Sequence, residues 1–220
     1  MQDTTDLESQ ARGKQSLKRG GIFYTAQSGI WQSVWLEQVP QTHLENLWFE
    51  TDYDTRLVTA HITARIKDPE PELSLSVFCR EKKIITKTRK LTSDIATVSF
   101  TIPEEFFYSW SPKDPFLYDV SVTLCSDQVQ SYFAMRLYSI EKDTRGHIPG
   151  NIPVFCLNHK PYFLMGILDQ GYWPDGLYTA PSDEALIYDI TVMKSMGFRM
   201  LRKHIKVESA RWYYHCDRLG

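Results

Sequence analysis

The sequence predicts a mainly β chain, in which an antiparallel β-sandwich of about a hundred residues leads into the opening strands and helices of a parallel α/β unit. Two observations carry this. Between residues 57 and 138, apolar residues recur at every second position in short segments divided by Pro, Asp, Gly and Ser clusters. That is the pattern of half-buried strands. Beyond residue 150 the pattern changes to short apolar runs that alternate with helical stripes, which reads as strand–helix–strand–helix.

The first 21 residues, "MQDTTDLESQARGKQSLKRGG", are polar and Gly-punctuated and read as a loop or a disordered lead-in. "GIWQSVWLEQV" then has strand character, with Ile30, Val34 and Leu36 on one face and Trp31, Trp35 and Val39 on the other. A strand apolar on both faces needs partners on both sides, and nothing earlier in the chain supplies one of them. "LVTAHITARI" sends Val58, Ala60, Ile62, Ala64 and Ile66 to one face. "ELSLSVF" alternates through Leu73, Leu75 and Val77, "ATVSFTI" through Ala96, Val98, Phe100 and Ile102, and "LYDVSVTL" through Tyr118, Val120, Val122 and Leu124. "VQSYFAMRLYSIEK" reads as a single last strand. The basic run "REKKIITKTRK" reads as a solvated strand pair rather than a nucleic-acid patch. These strands give an immunoglobulin-like architecture without the antibody disulfide, since Thr123 rather than Tyr stands two residues before Cys125.

"TRGHIPGN", from Thr144 to Asn151, is a turn-rich boundary. "VFCLNHKPYFLMGI" reads as a hairpin across Asn158-His159, two residue types that tolerate the left-handed conformation of a tight turn. "FLMGI" resembles a buried parallel strand. Ser182 is placed to cap a helix running to Met196, with Asp183 and Glu184 in its first turn and Gly197 at its end. Leu186, Ile187, Ile190 and Met193 form its apolar stripe. "FRMLR" is the next strand, and "SARWYYHCDRLG" the next helix, with Trp212, Cys216 and Leu219 on one face.

The formal net charge of −2 over 220 residues argues against nucleic-acid and membrane-surface binding. No apolar run approaches the ~20 residues of a membrane helix, and the N-terminus has no apolar signal core. Cys79, Cys125, Cys156 and Cys216 are dispersed and read as buried free thiols. His43, His61, His147 and His215 lack ligand spacing, so no metal is expected.

Three motifs carry a family resemblance. "RGKQ" followed by "SGIWQSVWLE", then "WSPKDPFLYDVSVTL", then "LNHKPYFLMGI" with "DITVMKSMGFRMLR" and "YYHCDRLG", together resemble the middle of a glycoside hydrolase family 2 enzyme. That group contains β-galactosidases, β-glucuronidases and β-mannosidases. The resemblance implies three parts. Residues 1–39 would be the end of a jelly-roll sugar-binding domain, and residues 40–145 an immunoglobulin-like sandwich. Residues 146–220 would be the first two βα units of an incomplete TIM barrel. Two parallel strands cannot close a barrel, so the chain is expected to be an internal fragment of a retaining, β-galactosidase-like enzyme. Such enzymes use two Glu residues roughly 5 Å apart, which the family carries on later barrel strands. The acid/base and the nucleophile are therefore expected beyond Gly220, no residue up to Gly220 is assigned a catalytic role, and the fragment itself is expected to be inactive. No cofactor is implied. The implied partner is a carbohydrate substrate, with self-association of the fragment through open barrel edges. Compartment stays open.

Active sites of such barrels lie at the C-terminal strand ends. The resemblance therefore makes Asp169, Gln170 and Trp173 after the first strand, and Arg202 and His204 after the second, the candidate substrate-pocket residues. Each has a plainer reading. Trp173 would stack on a sugar or pack against a neighbouring domain. Arg202, which matches a family arginine by its distance from Cys216-Asp217, would bind substrate or brace the barrel mouth. The family histidine falls three residues after the arginine, where Ile205 stands here, and His204 falls only two after. Adjacent strand residues face opposite ways, so that role does not transfer directly. Lys203 and Glu208 read as loop charges, and Trp31, Trp35 and Trp48 as core or inter-domain contacts. The rival class is a non-catalytic carbohydrate-binding or interaction module, which would need an exposed aromatic platform on the sandwich.

Overall fold

The computed structural model describes residues 7, 9, 12–142 and 152–220. Most of the lead-in, the boundary segment after Asp143 and His147 lie outside the described residues. The strands are β1 (Gln15–Ser16), β2 (Tyr24–Thr25), β3 (His43–Asp52), β4 (Leu57–Arg65), β5 (Glu72–Cys79), β6 (Lys82–Lys90), β7 (Ile95–Thr101), β8 (Tyr118–Leu124), β9 (Asp127–Phe133), β10 (Tyr138–Lys142), β11 (Pro153–Leu157), β12 (Lys160–Pro161), β13 (Gly166–Asp169) and β14 (Met200–Lys203). Two helices, α1 (Asp183–Ser195) and α2 (Ala210–Leu219), flank β14 in sequence. The chain is thus mainly β. Among the described residues no helix is long and apolar enough to cross a membrane. Two compact units form, one of Glu37–Phe163 and one of Leu164–Leu219 with the chain up to Leu36.

The first unit is built on two antiparallel sheets, β3-β4-β7 and β6-β5-β8-β9. Their facing sides share one core. Val58, Ala60, Ile62 and Ala64 of β4 meet Leu73, Leu75 and Val77 of β5, Val98 and Phe100 of β7, and Tyr118, Val120, Val122 and Leu124 of β8. The alternation fixes this, because every second side chain of a pleated strand faces the same way. β3 alternates less clearly, its register shifting at Glu45 between Leu44 and Asn46. β6 is one exposed strand paired with β5, not a strand pair.

The segment expected to be a single last strand is two. β9 pairs with β8, whereas β10 pairs with β11 in a separate three-stranded sheet, β10-β11-β12. Alternation runs on across the break through buried Phe133 and Met135. It records which face a residue takes, and the exchange of backbone partners between strands leaves no mark on it. The β11–β12 hairpin turns at Asn158 (φ 51°) and His159 (φ 60°), the two left-handed residues that a type I′ turn requires. Asn158 ties the turn down, its Oδ1 accepting from Leu137 N at 2.9 Å and its Nδ2 donating to Trp110 O at 3.0 Å. His159 Nε2 lies 2.6 Å from Asp54 Oδ1 and Nδ1 2.8 Å from Glu141 Oε1. These two hydrogen bonds, that of Asp54 first, raise the imidazole's pKa above its usual value.

Tyr118 is fully buried. Its hydroxyl accepts from Tyr108 N at 2.7 Å and donates to Phe106 O at 2.7 Å, fastening the 103–117 connection between β7 and β8 to the core. It does the job of the tyrosine corner of sandwich domains from the start of β8. Cys79 and Cys156 are buried free thiols, but Cys125 is exposed, because it sits at a β8–β9 turn position with φ 53°.

In the second unit β13 and β14 pair in parallel. The Ser182 hydroxyl accepts from Ala185 N at the start of α1, and Gly197 follows its end at φ 93°. Leu186 and Ile190 of α1 and Trp212 of α2 form a small core, with Trp173, Leu201, Cys216 and Leu219 packed on it. Two expectations fail here. "FLMGI" is not the strand. The strand begins at Gly166, and Phe163 stands 78% exposed. "GIWQSVWLEQV" forms no strand and leaves Ile30, Val34, Trp35 and Leu36 exposed. Among the described residues β1 and β2 pair only with each other, so no strand lies alongside this segment to extend a ladder.

Two outcomes are expected. Tyr118→Phe strands the Tyr108 amide and the Phe106 carbonyl, lowering stability in urea unfolding by about 1–3 kcal/mol. Burial pushes the Tyr118 hydroxyl up to about 12 from 10.0. The folded state therefore keeps a proton that the unfolded state has lost, and wild-type stability falls between pH 10 and about 12. That fall is smaller in Tyr118→Phe. His159→Asn keeps a left-handed turn residue but removes the imidazolium. Its stability deficit is full below pH 6.5 and shrinks as pH rises through the raised His159 pKa, as urea midpoints from pH 5 to 9 will register.

Candidate functional site

Parallel register brings the ends of β13 and β14 together, with Asp169 opposite Lys203 and Leu168 opposite Arg202. Because successive residues face opposite sides, Asp169 and Lys203 share the helix-covered face. Lys203 Nζ donates to Asp169 Oδ2 at 2.7 Å, lies 2.8 Å from Glu208 Oε1, and sits 3.8 Å above the Trp212 ring centre. Glu208 is buried. Its Oε1 is also 3.0 Å from Lys206 Nζ. Lys206, only 2% exposed in its side chain, further donates to Gly171 O at 2.6 Å and Tyr178 O at 2.8 Å. The Trp31 and Tyr178 rings flank its ammonium at 4.9 and 5.0 Å.

Two ammonium groups and two carboxylates thus share one buried cluster. A buried charge without a partner is costly, and here each has one. Burial still holds the Lys206 pKa below its usual value. The cluster sets the intervening loops. Ile205 is forced to φ 60°, a strained position for a β-branched residue. Gly171, at φ +56°, leaves no room for a side chain, since a Cβ there would lie 2.2 Å from Glu208 Oε1.

Beside the cluster lies a cavity of about 320 Å³, lined by Asp169, Gln170, Tyr172, Trp173, Tyr24 and Asp189, among others. Three of the expected site residues meet there. Asp169 is heavily engaged, one oxygen with Lys203 and the other accepting from Gly171 N at 2.8 Å. Burial, and then the neighbouring Asp169 charge, raises the Asp189 carboxyl above the ordinary range, against an opposing pull from Lys203. Trp173 turns its ring into the helix core. Arg202 and His204 do not line this cavity. They pair with each other, Arg202 Nη1 lying 3.3 Å from His204 Nδ1. Partial burial, then Lys14 and Arg202, lowers the His204 pKa. A neutral imidazole whose Nδ1 accepts from the guanidinium fits this geometry. Gly220 follows the end of α2 at a left-handed φ of 80°, a conformation that suits a residue without a Cβ, and it does not line the cavity.

Lys203 and Glu208 are not loop charges but the centre of the cluster. A charge beside a strand end gives no sign in the sequence of whether it turns inward. The signal that could have found them is register, which puts the last residue of β14 opposite the last residue of β13. Trp31 packs edge-on against Tyr178 at 5.6 Å, while Trp35 and Trp48 stand largely exposed rather than in a core. No group of three or more His, Cys, Asp or Glu able to hold a metal occurs among the described residues.

Residues 42–136 match the model of glycosyl hydrolases family 2. The chain is 24% identical over 208 residues to a β-galactosidase of Oenococcus oeni, covering 88% of this chain and 20% of that protein. It is 27% identical over 200 residues to the β-galactosidase large subunit of Latilactobacillus sakei, covering 87% of this chain and 30% of that subunit. The chain therefore spans between a fifth and a third of these relatives. In fold it is similar to a β-glycosidase from Bacteroides vulgatus, with TM-score 0.71, 21% identity, and coverage of 91% of this chain and 26% of that one. A β-glucuronidase of Bacteroides uniformis gives TM-score 0.67 at 22% identity, over 83% of this chain and 22% of that one.

Gly171→Ala tests the cluster. Gly21 has a nearly identical φ of +57° but open space around it, so Gly21→Ala reports the conformational strain alone. Gly171→Ala is expected to destabilise by at least about 1 kcal/mol, and by more than Gly21→Ala, in thermal unfolding followed through the tryptophans. Equal effects would mean the cluster yields freely.

Proposed function

We propose that the chain is the middle portion of a retaining β-glycosidase of galactosidase type, which in the longer protein hydrolyses terminal β-linked sugars. The observation that carries this is the match to β-galactosidases along 87–88% of the chain, which runs through both compact units. In this reading residues 1–39 end a jelly-roll domain, residues 40–145 are an immunoglobulin-like scaffold, and residues 146–220 open a TIM barrel. The sheet orders β3-β4-β7 and β6-β5-β8-β9, with the Tyr118 anchor, support the second assignment. The parallel β13–β14 pair with α1 and α2 supports the third. Asp169, Gln170, Trp173, Arg202 and His204 then line or brace the sugar pocket, and the Lys203–Glu208–Lys206 cluster holds the strand ends that carry them.

The chain by itself is catalytically silent in this proposal, and the acid/base and nucleophile belong to the part of the longer protein beyond Gly220. Asp169 is engaged with Lys203 and Gly171, and Asp189 lines the same cavity. The open edges of β13 and β14 are where copies of the isolated chain would associate. A second reading, a non-catalytic carbohydrate-binding module, has one observation in its favour, the exposed Trp48 on the sandwich.

The test uses o-nitrophenyl β-galactoside and its glucuronide counterpart. The longer protein is expected to release nitrophenol from the galactoside, and the 220-residue chain to release none above a no-enzyme control. Turnover by the isolated chain would overturn its catalytic silence, and preference of the longer protein for the glucuronide would move the parent to the other branch.

A further inference from the structure

Trp48 lies on β3, an edge strand of the three-stranded sheet, and is 51% exposed. Its indole is stacked on the imidazole of His61, its direct partner on β4, with centroids 3.8 Å apart and planes 4° from parallel. His61 Nε2 is held in turn 3.3 Å from Glu50 Oε2. One face of the indole is therefore covered and its orientation fixed. The other looks past the sheet edge, where no further strand pairs with β3 among the described residues. Asn46 and Glu50, two residues to either side, project from the same face and are exposed. Behind them the sheet is hydroxyl-lined, with Thr59 Oγ1 and Ser99 Oγ 3.0 Å apart.

We propose that this platform binds a neutral sugar ring. A pyranose has one face of C–H groups that packs on an open indole, while its ring-edge hydroxyls need planar donors and acceptors beside it. The Asn46 amide and the Glu50 carboxylate stand at that position. The charge around the indole selects among sugars. Glu45, Glu50 and Asp52 on β3 are all exposed and acidic, so a uronate would meet like charge. The same charges do not make a cation site. Glu50 is engaged with His61, and Asp52 Oδ1 accepts from Asp54 N and Thr55 N at 3.0 and 3.2 Å. The choice of galactose-based ligands rests on the glycosidase reading above. The platform belongs to the sandwich unit, whereas β13 and β14 belong to the other, and it would hold a substrate chain rather than cleave it.

The experiment is a titration of the ¹⁵N-labelled chain with β-1,4-galactotetraose, tetragalacturonate and tetramethylammonium chloride, following the tryptophan indole N–H signals. The Trp48 signal is the one missing from Trp48→Ala. Because Trp48 is exposed, that variant keeps its remaining spectrum. The galactotetraose is expected to shift the Trp48 signal saturably, and Trp48→Ala to lose at least about tenfold in affinity, as measured on the remaining signals. Tetragalacturonate and the ammonium salt should leave the signal unmoved. Absence of a galactotetraose shift overturns the proposal, as does an unchanged affinity in Trp48→Ala or a stronger response to either charged ligand. Hydrolysis by the longer protein is read separately, so loss of binding here leaves the glycosidase reading standing, and loss of hydrolysis leaves the binding result intact.

Discussion

Lys203 and Lys206 are buried at one end of the β13–β14 pair, and the second unit is arranged around the need to neutralise them. Lys203 reaches Asp169 across the parallel ladder and Glu208 beyond its own strand. Lys206 closes on the same Glu208 oxygen and on two loop carbonyls. Removing either carboxylate would leave an ammonium in a place where water cannot replace it. The loop after β13 must therefore pass close enough to offer the Gly171 carbonyl, which only a residue without a Cβ allows. The loop after β14 must bend sharply enough to force Ile205 into a left-handed conformation. The segment before β3 joins the same arrangement through Trp31 and Gln27, the latter accepting from Tyr178 N at 2.7 Å.

The sandwich obeys a different constraint. Its charges are outside, and its order comes from sheets that each bury one face. Tyr118 is an exception, a polar group taken fully into that core because its hydroxyl meets both a donor and an acceptor of the crossing loop. Such a group specifies one loop path, since any other path leaves it unsatisfied at a cost of about 1–3 kcal/mol.

What could be read in the sequence follows from this difference. The inward rows of β4, β5, β7 and β8 were legible because burial on one face writes a period of two into the chain. The cap of α1 and the Asn158-His159 turn were legible because a few residue types satisfy their local geometry. Strand partners were not. The division of 128–142 between two sheets, and the irregular course of 29–39, depend on which backbone lies alongside, a non-local fact. The candidate site divides in the same way. Asp169, Gln170 and Trp173 follow a strand end and meet at one cavity. Arg202 and His204 sit one register step away from Lys203 and so turn elsewhere. Lys203 and Glu208 looked like surface charges because their burial is conferred by α2 and by the β13 loop.

The two faces of the β13–β14 pair also differ. The helix-covered face is packed through Leu201 and carries the charge cluster. On the opposite face Leu168 is 47% exposed, beside an exposed Arg202. An aliphatic side chain and a guanidinium stand side by side there at one register level, Leu168 opposite Arg202. A barrel interior is filled by side chains of such inward faces, with the active site at the C-terminal strand ends. In the proposed barrel, the same strands would bury their fixed charges outward against helices and turn their pairing arginine toward the mouth. The buried cluster would then set the position of the strand ends, leaving Arg202 and His204 available to whatever chemistry takes place above them.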